Sequence, residues 1–306
     1  MESVLDQPNG SRERAGKRRL AAMAAYFEQA FKIQGFDRDP APRWQMVPVA
    51  GKRYVILRDG AGLNISSTNP GVVTVEEVQA RQLPTDNRRP FMAGDRFFKL
   101  SGISKGNARI RAQRGAATVV ELEVDTKNKK SVTVTFNFVR DNAGHRTRRN
   151  TSQTANWLWM INLIYKNQAN IEVTQRQARN VTVNKDLGDV VRFSSHLPGV
   201  PAAEHEWDDV TATGDAAADV NIFLVWRYEQ DNTPSIDHTD AGYLNGNVIY
   251  EDAAGRQDGE TMAHEIGHHL GVPDQYIAAR KRELMYGFTD VRGIHLPKAD
   301  VNTMNP

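Results

Sequence analysis

The chain has 306 residues, a length that suits two domains of ordinary size, each burying its own core. It contains no cysteine, which excludes disulfides, thiolate metal ligands and a cysteine nucleophile, so any metal must be held by histidine and carboxylates. Charged residues make up 25% and hydrophobic ones 40%, a balance that excludes wholesale disorder, and no apolar run approaches the length of a membrane span. The net charge of +2 conceals a division: residues 1–130 carry 23 Lys and Arg against 14 Asp and Glu, leaving 16 against 23 for the remainder. The basic residues are dispersed with little aromatic interleaving, which argues against a nucleic-acid partner.

After a polar start with the run SRERAGKRR, Leu20, Met23, Phe27 and Phe31 recur at helical spacing up to Gly35 and predict an amphipathic helix. The pair Arg18 and Arg19 before LAAMAAYF is read as part of this packing helix in preference to an export signal, because the apolar stretch is short and Glu28 interrupts it. The segment DPAPRWQMVP at 39–48 reads as a linker, so residues 1–43 are expected to be a helical lead-in. From Tyr54 the pattern changes to YVIL, VVTV, FFKL, ARIRA and TVVELEV, separated by the turn signals DGAG, TNPG, MAGD and SKGN. Short strands punctuated in this way predict an all-β sandwich over 44–128. The phrases ISSTNPGVVTVEE, as a strand pair, and LSGISKGNARIRAQRG, as a hairpin, resemble the group 2 bacterial Ig-like domains, which act as spacers or binding modules.

A second unit is expected over 129–306. SVTVTFNFV alternates as a strand, TSQTANWLWMINLIYKNQ reads as a capped, buried helix, IEVTQ and NVTVN as strands, and DVNIFLVWRY as a central strand. This order predicts an α/β (α+β) domain with helices on a mixed sheet, giving a multidomain chain overall.

The chemistry lies in ETMAHEIGHHLGVPDQY, 260–276. His264 and His268 stand at i and i+4, on one face of a helix one turn apart, where two imidazoles can share one zinc ion (Zn2+). Glu265 sits beside the first ligand as a general base on a water. Gly271 lets the chain leave the helix, Pro273 ends it, and Asp274 can swing back as a third ligand, leaving one position open. His269 points about 100° away from His268 and is read as a hydrogen-bonding neighbour. His295 is the nearest downstream histidine that could compete with Asp274, at a spacing that matches no zinc motif. Arg280, Lys281 and Arg282 read as an exposed loop, and the acidic stretches 204–209 and 231–240 as solvated loops that could alternatively hold a structural ion.

HEIGHHLGVPD resembles the HExxHxxGxxH/D consensus of the metzincin zinc metalloendopeptidases, and its terminal Asp resembles their snapalysin-like branch. RELMYG at 282–287 lies where that family has its Met-turn, which implies that Met285 floors the metal site. Thirty-two residues follow Asp274, so the resemblance implies a small lower portion whose last helix is little more than PKADVNTM. It also implies a protein or peptide substrate held as an added strand by the segment GNVIYED at 246–252, and Tyr286 as a further donor to the oxyanion or a wall of the specificity pocket. Snapalysin-like enzymes act outside the cell. Together with the Ig-like module, this points to an exported effector, delivered by a type VI-like secretion apparatus and met by an immunity or inhibitor protein; a cytoplasmic location is the alternative. The rival readings of function are an Ig-like binding or adhesion protein with a structural or vestigial metal site, and a hydrolase of peptidoglycan peptides.

Overall fold

Segments rich in Val, Ile, Phe and Thr with period-two alternation form strands throughout, and the computed structural model is a multi-sheet, mixed α/β protein dominated by strands. It describes residues 24–85, 88–192, 206–229, 241–252, 258–288 and 291–306. The first unit contains β1 (Tyr26–Gln29), β2 (Phe36–Asp37), β3 (Arg43–Pro48), β4 (Lys52–Arg58), β5 (Asn64–Ser67) and β6 (Val73–Val78). It continues with β7 (Arg96–Gly102), β8 (Gly106–Arg114) and β9 (Ala117–Lys127). These make two sheets, ordered β1-β4-β7-β6 and β2-β3-β9-β8-β5. Phe27, Val55, Leu57, Phe98 and Leu100 from one meet Ile110, Leu122 and Val124 from the other in a shared core.

Two expectations fail in this unit. The helix predicted up to Gly35 is absent from the described residues, and Tyr26–Gln29 is instead a strand paired antiparallel with β4. Phe27 and Phe31 lie four apart, an even separation that puts them on one face of a strand as readily as on one face of a helix. Residues 26–48, expected to be lead-in and linker, therefore supply strands to both sheets. The second failure concerns pairing: β5 and β6, and likewise β7 and β8, lie in different sheets, so neither expected pair is a hairpin. Each connection crosses from one layer to the other.

A two-residue turn leads from β9 into β10 (Lys130–Arg140), the start of the second unit. Its other elements are α1 (Thr154–Ala169), β11 (Ile171–Thr182), β12 (Val191–Arg192), α2 (Glu206–Thr211), β13 (Val220–Val225) and β14 (Tyr228–Glu229). These are followed by β15 (Ala241–Leu244), β16 (Asn247–Glu251), α3 (Asp258–His269) and α4 (Lys298–Met304). The main sheet runs β11-β10-β13-β16-β15, parallel except for β15. The expected mixed sheet is present, with IEVTQ and NVTVN joined in the single strand β11. α1 crosses between parallel β10 and β11 and packs with α3 on one face, where Phe136, Trp157, Ile161, Leu224, Tyr250 and Ile266 share a core. Phe223, Val225, Ile249 and Trp207 fill the other face.

The segment expected at the sheet edge, 246–252, is interior: β16 pairs parallel with β13 and antiparallel with β15. Ala241–Leu244 forms the edge, because the turn at Asn245 and Gly246, both at positive φ, folds the chain back by one strand.

Candidate metal centre

Helix α3 begins with Asp258 and Glu260 in its first turn, where carboxylates complement the positive end of the helix dipole. Met262 and Ile266 turn into the core, and their spacing leaves His264 and His268 together on the adjoining face. Gly271, at φ +91°, takes the left-handed conformation that ends the helix, with its N–H donating to the His268 carbonyl at 3.0 Å. The chain then doubles back, so that the Val272 carbonyl accepts from His268 Nδ1 at 2.9 Å and Asp274 arrives beside both rings. Asp274 Oδ1 lies 3.1 Å from His264 Nε2 and 3.7 Å from His268 Nε2. One atom from each of the three residues falls within 4.8 Å of the others.

The hydrogen bonds settle the protonation. His264 Nδ1 contacts the Leu284 carbonyl at 2.8 Å, and a carbonyl only accepts, so Nδ1 of each ring carries the proton. With Nδ1 so engaged, it is the Nε2 atoms that face the Asp274 carboxylate. Burial, above all other influences, holds the His264 imidazole below its ordinary pKa and keeps it neutral. For Asp274, burial pushes upward, but the contacts with His264 and then His268 prevail and its carboxyl lies below the usual range. Two imidazole nitrogens and one carboxylate converging in this way form a set that could hold a cation. Zinc ligands at about 2.0–2.1 Å in a tetrahedron stand roughly 3.3 Å apart, close to the two separations observed, so the residues fit that ion.

Met285 is fully buried, and a side chain at Gly267 would collide with it: a Cβ there would lie 2.3 Å from Met285 Sδ. The methionine thus underlies α3 at the level between the two histidines. Glu265 is buried next to the first ligand. Its charge adds to the burial that pushes the Tyr228 hydroxyl up.

The structure brings Tyr286 to the ligand loop through a parallel bridge with Gln275, but its buried ring packs on Phe288 with centroids 5.7 Å apart. The phenol that reaches a ligand is Tyr276, which donates to Asp274 Oδ2 at 3.3 Å and is largely exposed. Sequence reasoning passed over it although it stands two positions after Asp274. Tyr243, on edge strand β15, faces His268 with centroids 6.0 Å apart, and its hydroxyl lies 3.5 Å from His269 Nδ1, which makes His269 the expected hydrogen-bonding neighbour.

His295 is placed away from the three ligands, facing Asp37 at 3.9 Å. Lys281 and Arg282 lie exposed, as expected of that loop, and Arg280 and Arg282 pair with Glu283 and Asp39. In the acidic stretch 204–209, Glu206 accepts from the Arg192 N–H at 2.7 Å and Asp209 pairs with Lys185. Residues 230–240 lie outside the described residues. A second group, Asp141, His145 and Asp186, also clusters, but Asp141 is occupied by four backbone N–H donors and by His145 Nδ1 at 2.7 Å. It is satisfied as a loop cap and leaves little lone-pair capacity for an ion.

No protein-family model matches the chain, and no curated protein matches it. Among solved structures, the surface layer protein SbsC, domains 1–6, is 16% identical with a TM-score of 0.21, over 28% of this chain and 12% of that one. Domains 5–6 of the same S-layer protein are 14% identical with a TM-score of 0.20, over 33% of this chain and 44% of that one. The chain thus spans less than half of either structure, and likenesses this slight do not bear on the metal centre.

Proposed function

We propose that the protein is a zinc-dependent metalloendopeptidase of the metzincin kind, its catalytic unit preceded by an Ig-like sandwich. The observation that carries this reading is the convergence of His264 Nε2, His268 Nε2 and Asp274 Oδ1, with both Nδ1 protons engaged by backbone carbonyls. Such outer hydrogen bonds fix ring orientation and raise ligand basicity. Zinc, when bound, acidifies a water and polarises a carbonyl. Glu265, adjacent to His264, takes the proton of the attacking water and returns it to the leaving amine. A purely structural site has no use for a base there, which sets the binding-protein reading below this one.

Substrate is held by the chain's own edge. Among the described residues the outer side of β15 has no strand partner in the sheet, so an extended peptide can add to that edge. Tyr276 commits its one O–H proton to Asp274 Oδ2 and so steadies that carboxylate, which leaves it no proton for developing oxyanion charge. Tyr286 and Phe288 instead form an apolar wall beside it, with Phe288 against Tyr276 at 5.4 Å.

Metal analysis of the purified protein, run beside a casein or quenched-peptide assay, tests the proposal. One zinc per chain and cleavage lost in Glu265→Ala with its zinc retained is the expected result. Stoichiometric zinc without cleavage of proteins, but with release of peptides from purified sacculi, moves the substrate to peptidoglycan. Absence of zinc hands the protein to the binding class.

A further inference from the structure

The first unit touches the second at the loop that holds His264. Leu284, whose carbonyl accepts from His264 Nδ1, is itself fixed by its neighbours. Its N–H donates to the His295 carbonyl at 2.8 Å, and the His295 N–H donates to the Arg282 carbonyl at 3.0 Å. Residues 282–284 and 293–295 therefore form a short ladder, bridged in parallel at Glu283 and His295. α1 supports one rail of it: the Gln168 side-chain amide donates to the Ile294 carbonyl at 2.7 Å and accepts from the Leu296 N–H at 3.1 Å.

The other support comes from the sandwich. Asp37, in β2, is nearly buried; one oxygen accepts from the Lys298 N–H at 3.0 Å and the other lies 3.9 Å from His295 Nε2. Asp39 pairs with Arg282 at the start of the ladder. The β2 turn is seated tightly, because a Cβ at Gly35 would lie 2.6 Å from the Gln168 carbonyl oxygen. Trp44 and Met46 of β3, both fully buried, belong to the core of the second unit and not to that of the sandwich. A tethered spacer would touch its neighbour through exposed polar side chains and share no core with it.

We infer that the β2–β3 edge of the sandwich is a positioning element of the metal centre: Asp37 and Asp39 hold the 282–284/293–295 ladder, and through the Leu284 carbonyl the ladder sets the ring of His264. This rests on the metal reading above. Asp37 and Asp39 touch neither metal nor substrate; they act through the ladder. The inference gives the first unit a part in metal binding, where an Ig-like resemblance implies only spacing.

The test uses the full chain, with zinc affinity measured by competition against a chromophoric chelator and the absorption spectrum of the cobalt(II)-loaded protein as the signature of ligand geometry. Asp37→Asn is expected to bind zinc about tenfold more weakly, at the lower end of what outer-sphere partners contribute, and to shift the cobalt bands. Asp39→Asn, at an exposed pair that endangers folding less, is expected to move both readouts the same way by a smaller factor, and the reversed pair Asp39→Arg with Arg282→Asp to restore them. A role confined to stability would lower the unfolding midpoint and leave the cobalt spectrum untouched. Wild-type protein that binds one cobalt, with spectra and affinities unchanged in both variants, overturns the inference alone. Wild-type protein that binds neither metal overturns the metal reading and the inference with it.

Discussion

The two halves of the candidate metal centre are built by opposite means. His264 and His268 stand on a regular helix whose own hydrogen bonds fix their separation, whereas Asp274 stands on an irregular loop placed only by what the loop touches. Gln275 N–H donates to the Met285 carbonyl at 2.9 Å, and Gly287 N–H to the Gln275 carbonyl at 3.1 Å. The helix fixes the spacing of the two histidines, and carbonyls of Leu284 and Val272 outside it hold their rings. The loop half depends on residues 10 and more positions away, so substitutions on the two sides should differ in what they disturb.

The largest effect belongs to the helix. Glu265→Gln keeps size and burial but removes the base, and cleavage of a quenched peptide is expected to fall by about 10²–10⁴ while zinc stays stoichiometric. Loss of zinc in that variant would show that Glu265 holds the site together, and the division between binding and chemistry along α3 would collapse. Next comes the floor under both halves. Met285→Ala opens a cavity beneath Gly267, and a loss of about 2–5 kcal/mol of stability is expected, read as a lower urea midpoint at unchanged slope. A change below 1 kcal/mol would mean that the loop collapses onto the helix and that its placement is less demanding than the contacts indicate. On the loop side, Tyr276→Phe removes one hydrogen bond to Asp274, worth about 1 kcal/mol, so kcat/KM is expected to fall roughly fivefold with little change in zinc affinity. The same variant at full activity would show that Asp274 is held in place without Tyr276.

The same contrast explains what the sequence made legible. Strand segments, α1, α3 and the pair of histidines follow from periodicity over a dozen residues, and those expectations match the structure, except that no side chain caps the start of α1. Pairing did not follow. Whether β5 joins β6, or whether 241–244 or 246–252 forms the sheet edge, is decided by which layer each strand joins, and period-two alternation carries no such information. Phe27 and Phe31 misled because a spacing of four serves both periods. Tyr276 and the Asp39–Arg282 pair were invisible for a related reason: their roles arise where the chain returns to itself, in the second case across 243 positions.

A separate effect, on stability and not on the chemistry, lies at the junction behind the loop, and its sign can be worked out. Burial, followed by the charge of Glu283, raises the Asp300 carboxyl from 3.8 to about 6, with Arg280 and His295 opposing and Asp37 adding to the rise. Asp300 Oδ2 is buried without a hydrogen-bond partner, as suits an acid that keeps its proton near neutrality. Between pH 3.8 and about 6 the unfolded chain has lost this proton and the folded one has not, so stability falls as pH rises through that window and is then flat. Asp37 behaves in the opposite sense. Burial pushes it up, but the neighbouring His295 and the hydrogen bonds from the Lys298 and Asp39 N–H groups bring it down to about 2, so its contribution is complete above 3.8 and lost as pH falls through 2. The two windows do not overlap. Asp300→Asn should therefore flatten the profile of the metal-free protein between pH 4 and 6 and raise stability at pH 7 by at most about 3 kcal/mol, leaving the acid limb below pH 3.8 in place. Urea melts at half-unit steps, with chelator present, would show it. An unchanged slope between pH 4 and 6 would mean that Asp300 is ionised in the folded state, with the positive charges of Arg280 and His295 prevailing over burial and Glu283.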